Sequence, residues 1–520
     1  MTILKPQDLY CGDLPTRPLQ PRPKILIAGA TGYVGGRLVF ELQKRGYPLR
    51  LMVRGNVEAY KRRWPNTELV TADVHNYYEM ETALRGIDVA YYLIHSLNLG
   101  PKAFESADIE AADNFRQAAE INHAKRIIYL GGLGEVGDAL SHHLSSRIDT
   151  SIRLMMGRVP VTTLRAAVVI GSGGSSYEII HHLVKRMPAM LPPPWARKSQ
   201  CQPIALRDVI KYLVGVLEAP ETTDGYFDIG GTDVLTYETM LKEYAKILKR
   251  KIFFAPLPFN AVSLYSYIAA LVTPTPYTVI RCLFESLQND AVCNESGLRQ
   301  MIPFTPLSYK EQLLEAMTPD EQDWVHSHWT DSYPPAHDLA MKLSELKNGP
   351  RYRARYSLTT DKSAETLYAC ISKIGGRQGW FFGNWLWRLR GLLDKLLLGA
   401  GDRRGRRDPS RLEVNDVIDF WRVENLDVNA RILLRTEMKL PGKAWLEFLI
   451  EKGLKTRLTL TAYFDTKSVF GVLYWYLMAP FHHYIFNGLI REIEKRSVDS
   501  DNATLPVTAA PEKVLSNTAR

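Results

Sequence analysis

The 520 residues predict a doubly wound α/β fold on a parallel sheet with a small substrate subdomain, followed by a separate α+β unit. Three observations carry this prediction. Apolar strand-like runs alternate with helical patterns from Lys24 to about Pro220; the first run ends in glycines spaced three apart; and from Tyr352 the pattern becomes the polar/apolar alternation of half-buried antiparallel strands. A single core stops growing at about 250–300 residues, so two or three domains are expected.

Residues 1–23 carry Pro6, Pro15, Pro18, Pro21 and Pro23 and read as an extended, poorly ordered leader. The first strand follows as Ile25, Leu26, Ile27 and Ala28, an uninterrupted apolar run suited to burial on both faces. Gly29, Gly32 and Gly35 come next, and Val34, Leu38, Val39 and Leu42 continue at helical spacing. Gly29 permits the tight turn, Gly32 lets a pyrophosphate lie on bare backbone, and Gly35 lets helix and strand pack closely. The unpaired N–H groups and positive dipole end of the helix then face an anion, with the Thr31 hydroxyl, Tyr33 and Val34 beside it. A second apolar strand, Leu49 to Val53, completes the dinucleotide fingerprint.

Arg54 closes that second strand where a carboxylate would bond the ribose hydroxyls of NAD. A guanidinium suits a 2′-phosphate, so NADP(H) is preferred over NAD(H), the other reading being a solvated surface arginine. Further strands are expected at Glu68 to Ala72, Val89 to Ile94, Arg126 to Leu130 and Val161 to Val169. Ligands on such sheets lie at the carboxyl ends of the strands. That rule places Asp73 and Val74 beside the adenine and His95 with Ser96 beside the nicotinamide, with a satisfied strand-end side chain as the alternative for His95.

GATGYVGG at 29–36, ADV at 72–74, YLIHS at 92–96 and LRAAVVIGSGG at 164–174 resemble an atypical, NmrA-like short-chain dehydrogenase/reductase. PIALRDV at 203–209 and YFDIGG at 226–231 point to the extended members of that group, over residues 24–340. The resemblance implies a Rossmann domain with a substrate subdomain at about 222–320. It also exposes a departure. Active members carry a strand-end Ser and, on the next helix, a Tyr with a Lys four residues later. Here Gly131 and Gly132 stand where the Ser is expected, and His143 and Arg147 hold the Tyr and Lys spacing. An imidazole can serve as a general acid near neutral pH, but a neighbouring guanidinium depresses its proton affinity. His143 and Arg147 are the catalytic candidates, with cofactor positioning without turnover as the alternative. The Tyr463 to Lys467 pair lies far from this domain.

From Lys251 to Arg281 no charged side chain intervenes, and Ala261 to Val272 is expected to line an apolar pocket or subdomain core. Residues 318–350, with Trp324, Trp329, Pro334 and Pro335, read as the interdomain region. Beyond it come a strand at RYRARYSL, a helix at Ala364 to Ile374, strands at Val414 to Val423, Ala430 to Met438, Ala444 to Ile450 and Lys455 to Phe464, then a long helix to about Lys495. This order, with GGRQGWFFGNWLW at 375–387, resembles a START-like (SRPBCC) helix-grip domain of the class fused to NmrA-like reductases, over about 350–496. The resemblance implies an apolar cavity between sheet and long helix, and so a hydrophobic small-molecule ligand. Ordinary core is the other reading for Trp380, Trp385, Trp387 and Trp475. Residues 497–520 are polar and read as a disordered tail.

Net charge is +9, with 28 Lys and Arg against 19 Asp and Glu from Arg351 onward and 37 against 37 before it. Arg403, Arg404, Arg406 and Arg407 form the densest cluster, expected as a solvated loop, and no nucleic-acid module accompanies it. Five scattered cysteines predict a reducing, cytoplasmic setting without a structural metal, and the paired histidines at 142–143 and 181–182 point to different helix faces. Between Lys467 and Arg491 no formal charge appears, but Pro480, His482 and His483 favour a buried or interfacial helix over a span. Contact with the inner face of a membrane through the C-terminal domain is therefore open. Three functions follow: an NADP(H)-dependent oxidoreductase acting on a hydrophobic small molecule, a non-catalytic NADP(H) sensor of NmrA type, or a lipid-binding membrane-surface protein.

Overall fold

A computed structural model describes residues 10–54, 57–95, 103–134, 140–255, 258–294, 297–318, 341–401, 406 and 411–497. Ser96, the two tryptophans at 324 and 329, Arg403, Arg404, Arg407 and the tail lie outside the described residues.

Seven parallel strands form the first sheet: β1 (Ile25–Ala28), β2 (Leu49–Val53), β3 (Glu68–Thr71), β4 (Val89–Tyr92), β5 (Arg126–Gly132), β6 (Val161–Ala166) and β7 (Tyr226–Ile229). Their spatial order is β7-β6-β5-β4-β1-β2-β3, so the order reverses between β1 and β4. Helices α1 (Tyr33–Lys44), α2 (Tyr77–Leu84), α3 (Ala103–Ile121), α4 (His142–Met155), α5 (Ser175–Arg186) and α6 (Leu206–Glu218) join or flank them. Ile25, Leu26 and Ile27 are wholly buried, each stabilising the fold by about 1.5–3 kcal/mol. Polar residues set the helix starts: Asn76 accepts from Tyr78 N at 3.1 Å, and Ser141 from Leu144 N at 3.2 Å.

Several expectations need correction. The strand expected over Val161 to Val169 ends at Ala166, and Val169–Ile170 pairs instead with Ile204–Ala205 in a separate ribbon. The substrate subdomain begins earlier than residue 222, because α5 packs with α7 (Tyr237–Ile247) and α8 (Val262–Val272), while β7 belongs to the main sheet. Residues 10–23 are no loose leader. Cys11 and Leu14 are buried, Thr16 Oγ1 donates to Glu218 at 2.7 Å, and Lys211 pairs with Asp13 at 2.7 Å. The cause lies in two buried carboxylates, Glu41 and Glu218, which this segment and Arg45 supply with donors.

The second unit is a six-stranded antiparallel sheet of β8 (Tyr352–Thr360), β9 (Val417–Ile418), β10 (Trp421–Asp427), β11 (Arg431–Thr436), β12 (Lys443–Glu451) and β13 (Thr456–Asp465), ordered β8-β13-β12-β11-β10-β9. The run expected as one strand over 414–423 turns at Asp419, which has φ of +56°, and so splits into β9 and the start of β10. Helix α9 (Tyr277–Ser286) closes the subdomain; α10 (Ala364–Ile371), α11 (Asn384–Leu396) and α12 (Val469–Arg496) belong to the second unit. Between sheet and α12 aromatic rings pack together: Trp380 stacks on Trp387 at 4.5 Å, with Phe420, Trp421 and Phe486 against them. Trp385, by contrast, is 64% exposed. Arg406 does not stand in water, since it donates to the carbonyls of Ile374 and Ser372 at 2.8 and 2.7 Å. The two units touch where Asn415 Nδ2 donates to the Tyr60 hydroxyl at 2.5 Å and Lys395 Nζ to the Thr273 carbonyl at 2.5 Å.

Candidate functional site

The β1–α1 turn behaves as its sequence requires. Gly29 has φ of +96°, and a Cβ there would lie 2.6 Å from the Leu93 carbonyl oxygen. A Cβ on Gly35 would lie 2.2 Å from the Gly29 carbonyl oxygen, so only glycine lets α1 approach β1 this closely. At Gly32 a Cβ would meet only Gly29 O, at 3.2 Å, and otherwise points into open space. A diphosphate fits that space against backbone and the helix N-terminus. Val34 stands in the first turn of α1, and Tyr33 is wedged against the 171–174 loop, where a Cβ on Gly171 would lie 2.6 Å from its hydroxyl. Thr31, Tyr60 and Arg63 form a small cleft with residues 413–416 of the second unit.

The other candidates fall around this turn at the carboxyl ends of the strands. Arg54 is exposed at the end of β2, and Asp73 is exposed beyond β3, its carboxylate accepting from His75 N at 3.1 Å. Val74 is buried and its carbonyl accepts from Asn114 Nδ2 at 3.0 Å, so its contribution is backbone shape. His95 follows β4, directly across the strand-order reversal from Gly29.

His95 and His143 meet, with Nε2 to Nε2 at 3.0 Å. His143 Nδ1 lies 2.9 Å from Ser286 Oγ, which lies 2.9 Å from Ser141 Oγ. On the other side His95 Nδ1 faces Asp108 Oδ2 at 3.5 Å, and Ser146 Oγ donates to the same carboxylate at 3.1 Å. One arrangement of hydrogens carries the chain with both rings neutral: Ser141 donates to Ser286, Ser286 to His143 in place of the Cys282 carbonyl that it also reaches at 3.1 Å, His143 to His95, and His95 Nδ1 to Asp108. The long last step leaves His95 Nδ1 weakly held. Burial lowers the proton affinity of both rings, most strongly for His143; Arg147 lowers both further, His95 adds to the effect on His143, and Asp108 opposes it.

Arg147 is committed elsewhere. Its guanidinium donates to the carbonyls of Ile94 and Leu130 and lies 5.0 Å over the Tyr129 ring, tying α4 to the ends of β4 and β5. It therefore holds the site's shape and its positive field. Tyr463 belongs to the second unit, where its hydroxyl donates to Glu447 at 2.7 Å.

Asp108, Ser141 and Ser286 were missed from the sequence. Asp108 left a signal: with Ala111, Ala112, Phe115 and Ala119 it shares the buried stripe of α3, and an acid on such a stripe implies a partner. Ser286 left none, because its approach depends on folding the subdomain over residue 143.

A cavity of about 610 Å³ runs from Gly32–Gly35 past His95, His143 and Ser286 into the subdomain. Its walls are largely apolar, among them Met187, Met190, Trp195, Leu264, Tyr265 and Phe284. Gly131 and Gly132 line it without a hydroxyl, and α8 supplies one wall, as its uncharged sequence suggested. His181 and His182 are engaged separately, with Tyr244 at 2.6 Å and Glu178 at 3.3 Å.

The reversal of a parallel sheet at a glycine turn, with a helix N-terminus beside it, defines an NAD(P)-binding Rossmann domain. Residues 29–182 match a family model described as NAD(P)H-binding, and residues 346–489 match one described as a protein of unknown function (DUF2867). The auxiliary protein GraX of Staphylococcus aureus is 25% identical over 289 residues, covering 50% of this chain and 88% of that protein. Among solved structures, Citrobacter sp. triphenylmethane reductase complexed with NADP(H) aligns at TM-score 0.46 and 17% identity, over 56% of this chain and 100% of that one. The NADPH-dependent quinone oxidoreductase QOR2 of Escherichia coli, complexed with NADPH, aligns at 0.45 and 17%, with the same coverage.

Proposed function

We propose that this chain is an NADP(H)-dependent oxidoreductase of the atypical short-chain dehydrogenase/reductase kind, reducing a hydrophobic small molecule. One observation carries the reading: a largely apolar cavity joins the glycine turn to a half-buried histidine pair and its serines, so a lipophilic molecule and a nucleotide can meet beside a proton donor. When bound, the dinucleotide supplies the hydride. The chain's own groups do the rest. Apolar walls exclude water, and Ser286 with His143 faces the oxygen of a carbonyl or quinone substrate. A proton leaving Ser286 Oγ for that oxygen is replaced from Ser141, which takes one in turn from water, so each turnover consumes one hydride and one solvent proton, while His143, held by His95 and Asp108, orients the Ser286 hydroxyl. Arg54 at the end of β2 takes the adenosine 2′-phosphate, which makes NADP(H) the preferred cofactor.

A redox sensor that binds without turnover is the second reading, favoured by the absence of a hydroxyl on Gly131 and Gly132 and by Arg147 being occupied with backbone carbonyls. The C-terminal unit reads as a START-like helix grip with packed aromatic rings between sheet and long helix, while the apolar cavity that meets the glycine turn lies in the first domain.

The test is NADPH oxidation across a panel of quinones and enones, with His143→Phe alongside. The oxidoreductase reading expects turnover that falls about 10²–10⁴-fold in the variant while NADPH affinity is kept. Tight binding with no oxidation by any acceptor would leave the sensor reading.

A further inference from the structure

Helix α11 is built inside out for a protein bathed in water. It buries Asp394 and Lys395, at 0% and 6% exposure, and turns Leu389, Leu392, Leu393, Leu396 and Leu397 outward at 46–62%. Asp394 accepts from the Gly401 and Lys439 N–H groups, and Lys395 reaches the Thr273 carbonyl, so both charges are satisfied inward. The first half of α12 also turns apolar side chains outward. Val469 and Phe470 are about four-fifths exposed, Leu473, Tyr476 and Leu477 about two-thirds, and the sequence from Ser468 to Ile490 holds no Lys, Arg, Asp or Glu. The buried side chains of α12, Ile485, Phe486, Leu489, Ile490 and Ile493, all lie in the second half. Contiguous exposed apolar side chains of this kind mark an interaction surface.

Phe382, just before α11, lies 5.1 Å from Tyr484 in the second half of α12, and the 439–441 turn reaches α11 and the start of α12, Lys439 N donating to Asp394 and the Pro441 carbonyl lying where a Cβ on Gly471 would stand 2.4 Å away. Helix α11 also adjoins α8, through Tyr267 and the Leu396 carbonyl at 3.4 Å. On α8, Leu264 and Ile268 are 56% and 37% exposed, and with the 65% exposed Phe259 they line the cavity mouth. The apolar face and the opening of the cavity are therefore one surface.

We propose that this face docks on a lipid bilayer, with α11 and the first half of α12 lying in the interface and the cavity mouth opening at the acyl boundary. The ends and rim supply the complementary charge. Arg388 and Lys467 are exposed beside the leucines and the valine–phenylalanine step, and the chain's whole cationic excess lies from residue 351 onward. Trp385, Tyr476 and Tyr484 are the amphipathic rings suited to the headgroup level. Among the described residues no helix is long and apolar enough to cross a membrane, so the contact is monotopic. A second copy on the same face would set these cations against their like and cover the cavity mouth.

Docking stands apart from the nucleotide chemistry, and its test is run without NADPH. The full chain is sedimented with vesicles of phosphatidylcholine containing phosphatidylglycerol, at low and high salt. The expected result is association that salt weakens. Leu389→Ser with Leu393→Ser and Leu473→Ser, and separately Arg388→Glu with Lys467→Glu, each lower it at least about tenfold. Far-UV circular dichroism and urea midpoints of the same variants, unchanged from wild type, show that the fold is kept. The proposal fails if wild type stays in the supernatant, if the folded variants sediment with vesicles as well as wild type does, or if ultracentrifugation shows a vesicle-indifferent dimer that the leucine variants split.

Discussion

Two glycines three residues apart separate what the turn does for the fold from what it does for a nucleotide. In Gly35→Ala the new methyl would stand 2.2 Å from the Gly29 carbonyl oxygen, where ordinary contact begins at 3.4 Å. Helix α1 must retreat by about 1 Å, an overpacking that costs about 1–3 kcal/mol of stability and draws the helix N-terminus away from a bound diphosphate. In Gly32→Ala the methyl meets only one atom, at 3.2 Å, and the position is an N-cap with φ of −76°, open to alanine. Its stability cost is therefore below about 1 kcal/mol. Yet that methyl occupies the surface on which the diphosphate would lie, so NADPH affinity should fall at least tenfold, about 1.4 kcal/mol. Urea denaturation and NADPH fluorescence titration on both variants make the comparison. The reasoning is refuted if Gly32→Ala binds NADPH like wild type, or if its affinity falls only as far as its stability does.

Three further outcomes follow from the same geometry. Arg54→Asp should weaken NADPH at least tenfold and leave NADH unchanged or improved, read by paired titrations; equal loss of both would place the 2′-phosphate elsewhere. Asp108→Asn removes the one carboxylate that raises proton affinity at His95 and His143, so the acid limb of the NADPH oxidation profile should move to lower pH with NADPH affinity unchanged. Acid stability should report the half-buried histidines: desolvation, then His182, holds His181 down to about 4, and His143 lies well below 6.5. Below about pH 6.5 the unfolded chain binds protons that the folded chain refuses, so stability is full above that value and declines as pH falls toward 4. His181→Gln should flatten part of that decline in pH-dependent urea midpoints.

The parallel sheet was legible because each buried strand is a short apolar run and the glycines sit at offsets that only a tight turn followed by close packing demands. Arg54, His95 and His143 were legible as positions, since strand ends and helix spacing fix where they emerge. Their relations were not. Ser286 reaches His143 across 143 residues through the fold of the subdomain, and no local pattern encodes that approach. Helix α11 was hidden for a different reason: its leucines repeat at helical spacing, but glycines at 375, 376, 379 and 383 break the run before it, and its exposed apolar face inverts the usual rule. The leader was misjudged because proline content speaks for an extended chain and says nothing about two carboxylates waiting beneath it.

Hydrogen exchange on the intact chain with and without NADPH tests the central claim most directly. The account predicts slowed exchange confined to the amides of residues 29–36, 93–95 and 131–134, the strand ends and helix start around the sheet reversal. Protection elsewhere with these amides unchanged, or no protection at saturating NADPH, would contradict it.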